Sequence, residues 1–182
     1  GRDRTSSMFE EVHHYENVYL LKNKAYLPLG FLAEDALAQA DFGETDPWQM
    51  QNEVFSAATG LETPVWRAIA GSQVVALGNG TQVTEQSTRG KLSYSECDEG
   101  AYVSYFFSPN DEGFVCVWLD LPKRNDFVVC INGVELYRET ISLPQMLAVG
   151  DVTPTDSVEV RVLCDAGESG TMTVTASQLD ND

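Results

Sequence analysis

Aromatic and carboxamide side chains offer the most specific chemistry in this chain of 182 residues. Proteins that bind sugars commonly stack flat rings on saccharide faces and orient hydroxyl groups with amides and carboxylates. We predict a glycan-binding site from five such residues: Trp48, Gln51, Asn52, Trp66 and Tyr105. A structural role is the alternative, in which Trp48 packs against a sheet while Gln51 and Asn52 bond buried backbone where a helix meets that sheet.

Catalytic chemistry finds little support. The sequence contains no GxSxG, P-loop or GxGxxG motif. Glycosidases need two carboxylates at a fixed separation, which a sequence rich in acids cannot reveal. His13 and His14 are adjacent, and neighbours on a strand point to opposite faces, so they are expected to be exposed rather than to share a metal ion. We therefore predict no catalytic residue and no metal ligand, and no enzymatic activity for this piece of chain.

Calcium is the single ion that the sequence leaves open. Three acidic loops carry hard oxygen ligands: 98–99, 110–112 and 165–168. Calcium prefers such ligands, so a structural calcium ion is one expectation for these loops. None of the loops has a regular ligand spacing, and solvated turns are the alternative. No other cofactor is predicted.

The charge is strongly negative and unevenly distributed. The net charge is −17, and residues 94–182 contain 16 acidic and 4 basic residues. Such a surface repels phosphate backbones, so nucleic acid is excluded as a partner. Scarce lysine and arginine are typical of outward-facing loops of membrane proteins. The longest apolar run, 25–33, is far shorter than the roughly 20 residues that a membrane-spanning helix needs.

The four cysteines show no zinc-like spacing. Cys116 and Cys130 lie in two apolar runs joined by residues 122–125. If these runs form a hairpin, the two thiols face each other and a cross-strand disulfide becomes feasible. Buried free thiols that pack as small apolar groups are the alternative.

One helix is predicted from Pro47 to Thr59. Asp46 is a favourable N-cap, proline suits the first helical position, and Gly60 can adopt the left-handed conformation that ends a helix. Trp48 shares a face with the apolar residues of this helix, so we expect the helix to dock on a sheet.

Short apolar segments separated by turns predict strands throughout the rest of the chain. Val158, Val160 and Val162 alternate with charged residues, and Asn132-Gly133 is a strong signal for a hairpin turn. Trp118 lies in a strongly apolar segment and is assigned to the core. The predicted strands are 18–21, 26–33, 64–77, 82–95, 102–107, 114–121, 127–131, 135–137, 157–164 and 171–178.

This pattern predicts a mainly β fold, an antiparallel β-sandwich of jelly-roll type with one N-terminal helix packed on it. Residues 1–60 are expected to form a strand-and-helix segment, and residues 61–182 the sandwich. The two parts are expected to form one structural unit.

Residues 17–60 carry a family resemblance. Asn23, the Leu-Pro-Leu-Gly-Phe core at 27–31, Asp46-Pro47-Trp48 followed by Gln51-Asn52, and Ala58-Thr59-Gly60 are similar to the YfhO-like family of bacterial polytopic membrane proteins. This family has Asn-Pro at the helix start where the present chain has Asp-Pro. The resemblance implies multi-pass enzymes that use lipid-linked sugar donors to glycosylate cell-wall polymers such as lipoteichoic acid.

What the resemblance implies for this chain is an accessory role. The catalytic acids of the family are expected in the membrane-embedded part, so no catalytic role is carried onto these residues. We expect a soluble domain on the extracytoplasmic face, whose partners are the membrane-embedded remainder of the parent protein and a cell-wall glycan. The alternatives are a carbohydrate-binding module of a secreted enzyme and a protein-docking scaffold.

Overall fold

Two antiparallel β-sheets stacked on each other form most of the described structure. The computed structural model describes residues 9–16, 18–24, 33–41, 43, 46–69, 73–77, 82–86 and 90–180, with backbone only for 73–77 and 82–86. The predicted fold class, a mainly β sandwich, is therefore confirmed.

Thirteen strands and two helices occur in the described residues, numbered here in chain order. The strands are β1 (Phe9–Tyr15), β2 (Val18–Asn23), β3 (Trp66–Ala68), β4 (Gln73–Leu77), β5 (Gln82–Gln86), β6 (Lys91–Ser95), β7 (Tyr102–Phe107), β8 (Gly113–Asp120), β9 (Asn125–Ile131), β10 (Val134–Ile141), β11 (Gln145–Val152), β12 (Val158–Leu163) and β13 (Gly170–Leu179). The helices are α1 (Ala36–Gln39) and α2 (Pro47–Thr59).

The five-stranded sheet has the order β10-β9-β12-β7-β4. The six-stranded sheet has the order β11-β8-β13-β6-β5, and the short strand β3 also pairs with β13. Every pairing is antiparallel. Long central strands such as β13 therefore have neighbours along both edges, which satisfies their backbone groups.

Side-chain alternation places the core between the sheets. Val158, Val160 and Val162 of β12 point inward, while Glu159 and Arg161 point to the outer face, as the sequence predicts. The six-stranded sheet contributes its own alternating apolar residues to the same core: Leu92, Tyr94, Val115, Val117, Leu119, Leu147, Met172, Val174 and Ala176.

The predicted helix is confirmed with its bounds. The Asp46 carboxylate accepts hydrogen bonds from the amides of Trp48 and Gln49, at 3.0 and 3.1 Å. Gly60 ends the helix with φ of 72°, and its amide bonds the Ser56 carbonyl. These contacts satisfy backbone groups that a helix leaves open at its two ends.

Several strand predictions need correction. The segment 64–77, predicted as one strand, contains β3 and β4, which belong to different sheets. The segment 82–95 contains β5 and β6, which pair with each other. Strands β1 and β11 lie outside all the predicted strands, because their glutamates, histidines and small residues dilute the apolar signal. The strand predicted at 26–33 lies outside the described residues except for Ala33.

The hairpin considered for the runs on either side of residue 123 does not form. Strand β8 belongs to the six-stranded sheet and β9 to the five-stranded sheet, so the chain crosses the core between them. Cys116 pairs with Ala148 and Ser177, whereas Cys130 pairs with Glu135 and Glu159. These two thiols therefore do not face each other, and all four cysteines are buried and free.

Asn132-Gly133 forms the predicted hairpin turn between β9 and β10. Both residues have positive φ, of 52° and 77°. Two successive positive φ values are the requirement of a type I′ turn, which explains the choice of asparagine and glycine.

Gly90 is the position where a side chain would damage the sandwich most directly. Its φ is 72°, and a Cβ atom there would overlap the Val174 carbonyl oxygen and lie 2.8 Å from Thr175 Cγ2. Gly100 has a similar φ of 77°, but a Cβ atom there would meet no other atom within 4 Å. Substitutions at the two glycines therefore distinguish the effect of steric overlap from the effect of backbone strain.

We expect Gly90→Ala to lower the free energy of unfolding by about 3–5 kcal/mol, because strand β13 must move away from its neighbour. Gly100→Ala should cost only the conformational strain, about 1–2 kcal/mol. Urea denaturation followed by circular dichroism measures both. Equal losses for the two variants would contradict the steric argument.

Candidate functional site

The junction between α2 and β3 is held by one carboxamide. Asn52 Nδ2 donates to the Trp66 carbonyl at 2.8 Å, and Asn52 Oδ1 accepts from the Trp66 amide at 2.8 Å. Both hydrogen bonds fix the backbone of a strand at the edge of the sheet. The carboxamide of Asn52 is therefore used within the protein, as the structural alternative anticipates.

Gln51 holds the Trp66 side chain. Its Oε1 accepts from Trp66 Nε1 at 2.9 Å, and its Nε2 donates to the Pro47 carbonyl at 3.1 Å. The ring of Trp66 also lies against that of Trp48, with centroids 5.1 Å apart and planes inclined by 57°. Trp66, which is half-buried, is thus fixed by its backbone, its indole nitrogen and its ring contact.

Trp48 anchors the helix to the six-stranded sheet. Its indole nitrogen donates to Thr175 Oγ1 at 2.8 Å, and its side chain is only 6% exposed. A ring with so little exposure presents no face to a sugar. Four of the five predicted residues are thus brought together, but Trp48, Gln51 and Asn52 support the cluster instead of facing solvent freely.

Tyr105 is separate from this cluster. It lies on β7 of the five-stranded sheet, points into the core and is 4% exposed. Its ring packs near that of Phe107, with centroids 5.7 Å apart. The assignment of Tyr105 to a glycan surface therefore does not fit this structure, because the inward side of β7 is covered by the opposite sheet.

Trp118 is the functional candidate that the sequence prediction missed. Its neighbours Val117 and Leu119 are in the core, so alternation turns Trp118 to the outer face, where it is half-buried. It lies opposite Thr175 on one side and Met146 on the other. Side-chain alternation in the segment 114–120 could have indicated the outward position of Trp118, since it lies on the same side of the strand as the charged Asp120.

The outer face of the six-stranded sheet consequently carries all three tryptophans. We call the residues Trp48, Trp66, Trp118 and Thr175 the tryptophan face. Beside Trp118, a row of polar side chains crosses three strands, with Asp120 opposite Thr173 and Thr173 opposite Lys91. A half-exposed indole beside hydroxyl, carboxylate and ammonium groups matches the chemistry that sugars require.

Two buried residues, Cys116 and Ser177, also belong to the outer face of the six-stranded sheet. Cys116 is buried, and burial raises the pKa of its thiol to about 12. Burial therefore disfavours the thiolate, which is the form that a nucleophilic cysteine needs. Ser177 is fully buried, and its hydroxyl has no hydrogen-bond partner among the described residues.

A second polar cluster occupies the outer face of the five-stranded sheet. Glu159 accepts two hydrogen bonds from Arg161, at 2.9 and 3.0 Å, and one from Ser104 at 2.5 Å. The Arg161 guanidinium lies 4.6 Å from the centroid of the Tyr102 ring. Hydrogen bonding to Glu159 raises the pKa of Arg161. The buried carboxylate of Glu159 is thereby neutralised by a neighbour two residues away.

A third cluster surrounds Glu168 at one end of the sandwich. Tyr94 donates to Glu168 Oε1 at 2.5 Å, the Asp165 amide to Oε2 at 2.7 Å, and Asn125 Nδ2 to Oε1 at 3.2 Å. Lys123 Nζ lies 3.5 Å from Oε2. Burial by itself raises the pKa of Glu168, but these contacts outweigh it and hold the pKa below its ordinary value of 4.5.

Metal binding is not indicated by the side-chain geometry. No group of three or more histidine, cysteine or acidic side chains converges on one point within the described ranges. His13 and His14 lie within β1 and are exposed. In the loop 165–168, Lys123 pairs with Asp165 and Glu168, so calcium would compete with an ammonium group there.

Comparison with known proteins gives one family. The family model described as "Bacterial membrane protein YfhO" matches residues 3–180. No curated protein matches the chain. Within the described residues, no helix is long and apolar enough to cross a membrane.

Several solved β-sandwiches are similar at a distance. TmCBM61 in complex with β-1,4-galactotriose has a TM-score of 0.40 and 12% identity, over 61% of this chain and 90% of that one. A family 35 carbohydrate-binding module from Clostridium thermocellum has a TM-score of 0.38 and 8% identity, over 63% and 97%. A family two carbohydrate esterase from the same organism has a TM-score of 0.40 and 10% identity, over 61% and 32%. The present chain thus spans about a third of that esterase.

Replacing Asn52 tests the clamp on Trp66. Asn52→Leu leaves the amide and carbonyl of Trp66 without their partners, so we expect the free energy of unfolding to fall by about 2–3 kcal/mol. Near-ultraviolet circular dichroism should also lose intensity, because the Trp48–Trp66 contact loosens. Glu53→Leu, at the next and exposed helix position, is the control and should change stability little. A neutral effect of Asn52→Leu would contradict this account.

Replacing Glu168 tests its environment through pH. The folded-state pKa is depressed, so ionised Glu168 contributes stability above its unfolded pKa and loses that contribution as pH falls through the folded pKa. We expect the Glu168→Gln variant to be less stable than the unsubstituted protein near pH 7. The difference should shrink below about pH 4.5.

Urea denaturation at a series of pH values measures this effect. Glu99→Gln, on an exposed turn nearby, serves as the control. A stability difference for Glu168→Gln that stays constant from about pH 7 to pH 3 would show that its ionisation is not linked to folding.

Proposed function

Because the chain belongs to the YfhO family of bacterial membrane proteins, we propose that it is an accessory domain that binds glycan beside the membrane-embedded part of its parent protein. The proposal places the domain on the extracytoplasmic face and its ligand in a cell-wall polymer of lipoteichoic-acid type. In this role the domain holds or orients an acceptor, and the parent performs glycosyl transfer.

The half-exposed indole of Trp118 is the observation that carries the proposal. An indole ring that is half-exposed on a sheet face offers a flat apolar surface on which a sugar ring can stack. Thr173 and Asp120, paired in the next outward row of the same two strands, supply a hydroxyl and a carboxylate beside Trp118. This combination of a flat apolar surface and adjacent hydrogen-bonding groups is typical of sugar sites.

Preorganisation adds to the argument. Trp66 is fixed at three points by Gln51, Asn52 and Trp48. A ring that is already immobilised loses little conformational entropy when a ligand stacks on it. Glycan contact by Trp66 thus stays a prediction, with Trp48, Gln51 and Asn52 as the residues that support its ring.

Charge limits the kind of glycan. The net charge of −17 repels anionic polymers at moderate ionic strength. Neutral saccharide units of a wall polymer are therefore the preferred ligand, and a polyanionic chain would bind only when salt or a divalent cation screens the repulsion. Calcium enters the proposal in this screening role and as a structural ion of the acidic loops.

Protein docking is the second candidate function. Met50 and Val54, one turn apart on α2, and Leu61 just beyond its end are exposed apolar residues. Met50 and Val54 share one side of the helix, and grouped exposed apolar residues are characteristic of a contact with another protein. Membership in a membrane-protein family favours either of these functions over a module of a secreted enzyme.

Titration calorimetry with neutral cell-wall oligosaccharides tests glycan binding. We expect the unsubstituted domain to bind. Trp118→Ala should lower the affinity about tenfold or more, because a central aromatic contact dominates such sites. Phe106→Ala is the matched control, since Phe106 is a half-buried aromatic residue on the outer face of the other sheet. The Phe106→Ala variant should bind with the same affinity as the unsubstituted domain.

The same titrations with calcium and with a chelator separate the screening role from direct binding. A calcium effect confined to anionic oligosaccharides supports screening. Absence of binding to every saccharide at millimolar concentration would overturn glycan binding and leave the docking function. An equal loss for Trp118→Ala and Phe106→Ala would remove the tryptophan face as the site.

A further inference from the structure

Two of the four cysteines lie at one end of the sandwich, next to strands of different sheets. Cys97 follows β6, which belongs to the six-stranded sheet, with one residue in between. Cys164 directly follows β12, which belongs to the five-stranded sheet. Both side chains belong to the same hydrophobic core, where Cys97 is 2% and Cys164 is 6% exposed. The two cysteines therefore approach each other from opposite layers of the sandwich.

Backbone hydrogen bonds fix the positions of these two cysteines. The Cys97 amide donates to the Glu168 carbonyl at 3.2 Å, and the Cys97 carbonyl accepts from the Gly167 amide at 2.6 Å. The Cys164 amide donates to the Ala101 carbonyl at 3.0 Å. Each cysteine is thus bonded to the turn that follows the other cysteine. The two positions cannot separate unless these three hydrogen bonds break.

The thiols of Cys97 and Cys164 are in contact. A hydrogen bond joins the two side chains, and both thiols are free. Cys164 Sγ also lies 3.9 Å from the Val162 carbonyl oxygen, to which it donates. A disulfide needs two cysteines whose side chains meet without movement of the backbone. Two thiols that already touch, on segments held by backbone hydrogen bonds, satisfy this need for proximity.

Cys116 and Cys130 are placed differently. Cys116 belongs to the outer face of the six-stranded sheet, because its neighbours Val115 and Val117 are in the core. Cys130 belongs to the outer face of the five-stranded sheet, because its neighbour Val129 is in the core. Both sheets and the core between them therefore separate these two thiols. The fold thus brings together one pair of cysteines and keeps the other two apart.

From this arrangement we propose that Cys97 and Cys164 form a disulfide that links the two sheets. The reaction joins the two sulfur atoms, and each thiol loses one hydrogen. The two electrons and two protons pass to a second disulfide, that of a small molecule or of a thiol oxidase, which is reduced to two thiols. Oxidants of this class act outside the cytoplasm. The place of the reaction in the cell therefore rests on the location given in the proposed function.

Burial determines when the bond can form. Burial raises the pKa of the Cys164 thiol, so the thiolate that attacks the oxidant is disfavoured in the folded protein. We therefore expect the disulfide to form during folding, while both thiols are still accessible, and the folded reduced protein to react slowly. After the bond has formed, the same burial shields it from reductants.

The bond would constrain a large part of the chain. It closes residues 97–164 into one loop that contains strands β7 to β12. The entropy that a disulfide removes from the unfolded chain increases with the length of the closed loop. A link between the sheets at this end therefore stabilises the sandwich without adding a contact to either outer face.

Refolding of the denatured domain in oxidised and reduced glutathione tests the proposal. Thiol titration under denaturing conditions should then find two free thiols, whereas refolding in dithiothreitol should leave all four. Peptide mapping by mass spectrometry should find Cys97 linked to Cys164. The melting temperature of the oxidised domain should be higher by roughly 10 °C, because a long loop is closed.

Substitutions of single cysteines provide matched controls, since all four side chains are buried. Cys97→Ala and Cys164→Ala should each keep three free thiols after oxidative refolding and show no oxidant-dependent rise in melting temperature. Cys116→Ala and Cys130→Ala should each keep one free thiol and retain the rise. Thiol titration and peptide mapping of the unsubstituted domain do not depend on how well these variants fold.

The glycan site and the disulfide can be tested separately. The oxidised and reduced domains should have the same glycan affinity, because the cysteine pair is not part of the tryptophan face. Absence of glycan binding would therefore leave the thiol count unaffected. Four free thiols after oxidative refolding would overturn the inference. Linkage of Cys97 or Cys164 to Cys116, to Cys130 or to a second copy of the chain would also overturn it.

Discussion

The outer face of the six-stranded sheet is the feature on which the rest of the structure depends. A sandwich of this kind buries one face of each sheet and leaves the other in water, so the outward positions are normally polar. Here the outward positions of β8 and β13 include Cys116 and Ser177, both buried. Helix α2 meets the requirement for cover, since Trp48 bonds Thr175 and Asn52 fixes strand β3 at the sheet edge.

This cover is incomplete, and the uncovered part is where the proposed glycan site lies. Had α2 extended over the whole face, Trp118 would be a buried residue like Trp48. It remains half-exposed instead, beside Asp120 and Thr173. The helix therefore covers one part of the face and sets the boundary of the part that stays accessible to solvent. A rigid boundary of this kind favours recognition, because little order is gained when a ligand binds.

Helix ends and side-chain alternation are well predicted from the sequence, whereas the points at which the chain passes from one sheet to the other are not. The helix from Pro47 to Thr59 follows from local capping, and the inward valines of β12 follow from alternation, because both signals are contained within a few neighbouring residues. The crossing of the chain between β8 and β9 depends on which sheet each strand joins, a long-range choice with no local signal. The assignment of Trp118 to the core was wrong for a related reason. It relied on the apolar composition of the segment, although side-chain alternation places Trp118 on the outer face.

The large negative charge coexists with this fold because the buried acids are individually compensated. Glu159 is matched by Arg161 on the same face of the same strand, and Glu168 by Tyr94, Asn125 and a backbone amide. Burying a carboxylate is costly unless it is paired and hydrogen-bonded, and both of these carboxylates have such partners. The remaining acids can then lie in water, where their mutual repulsion is screened.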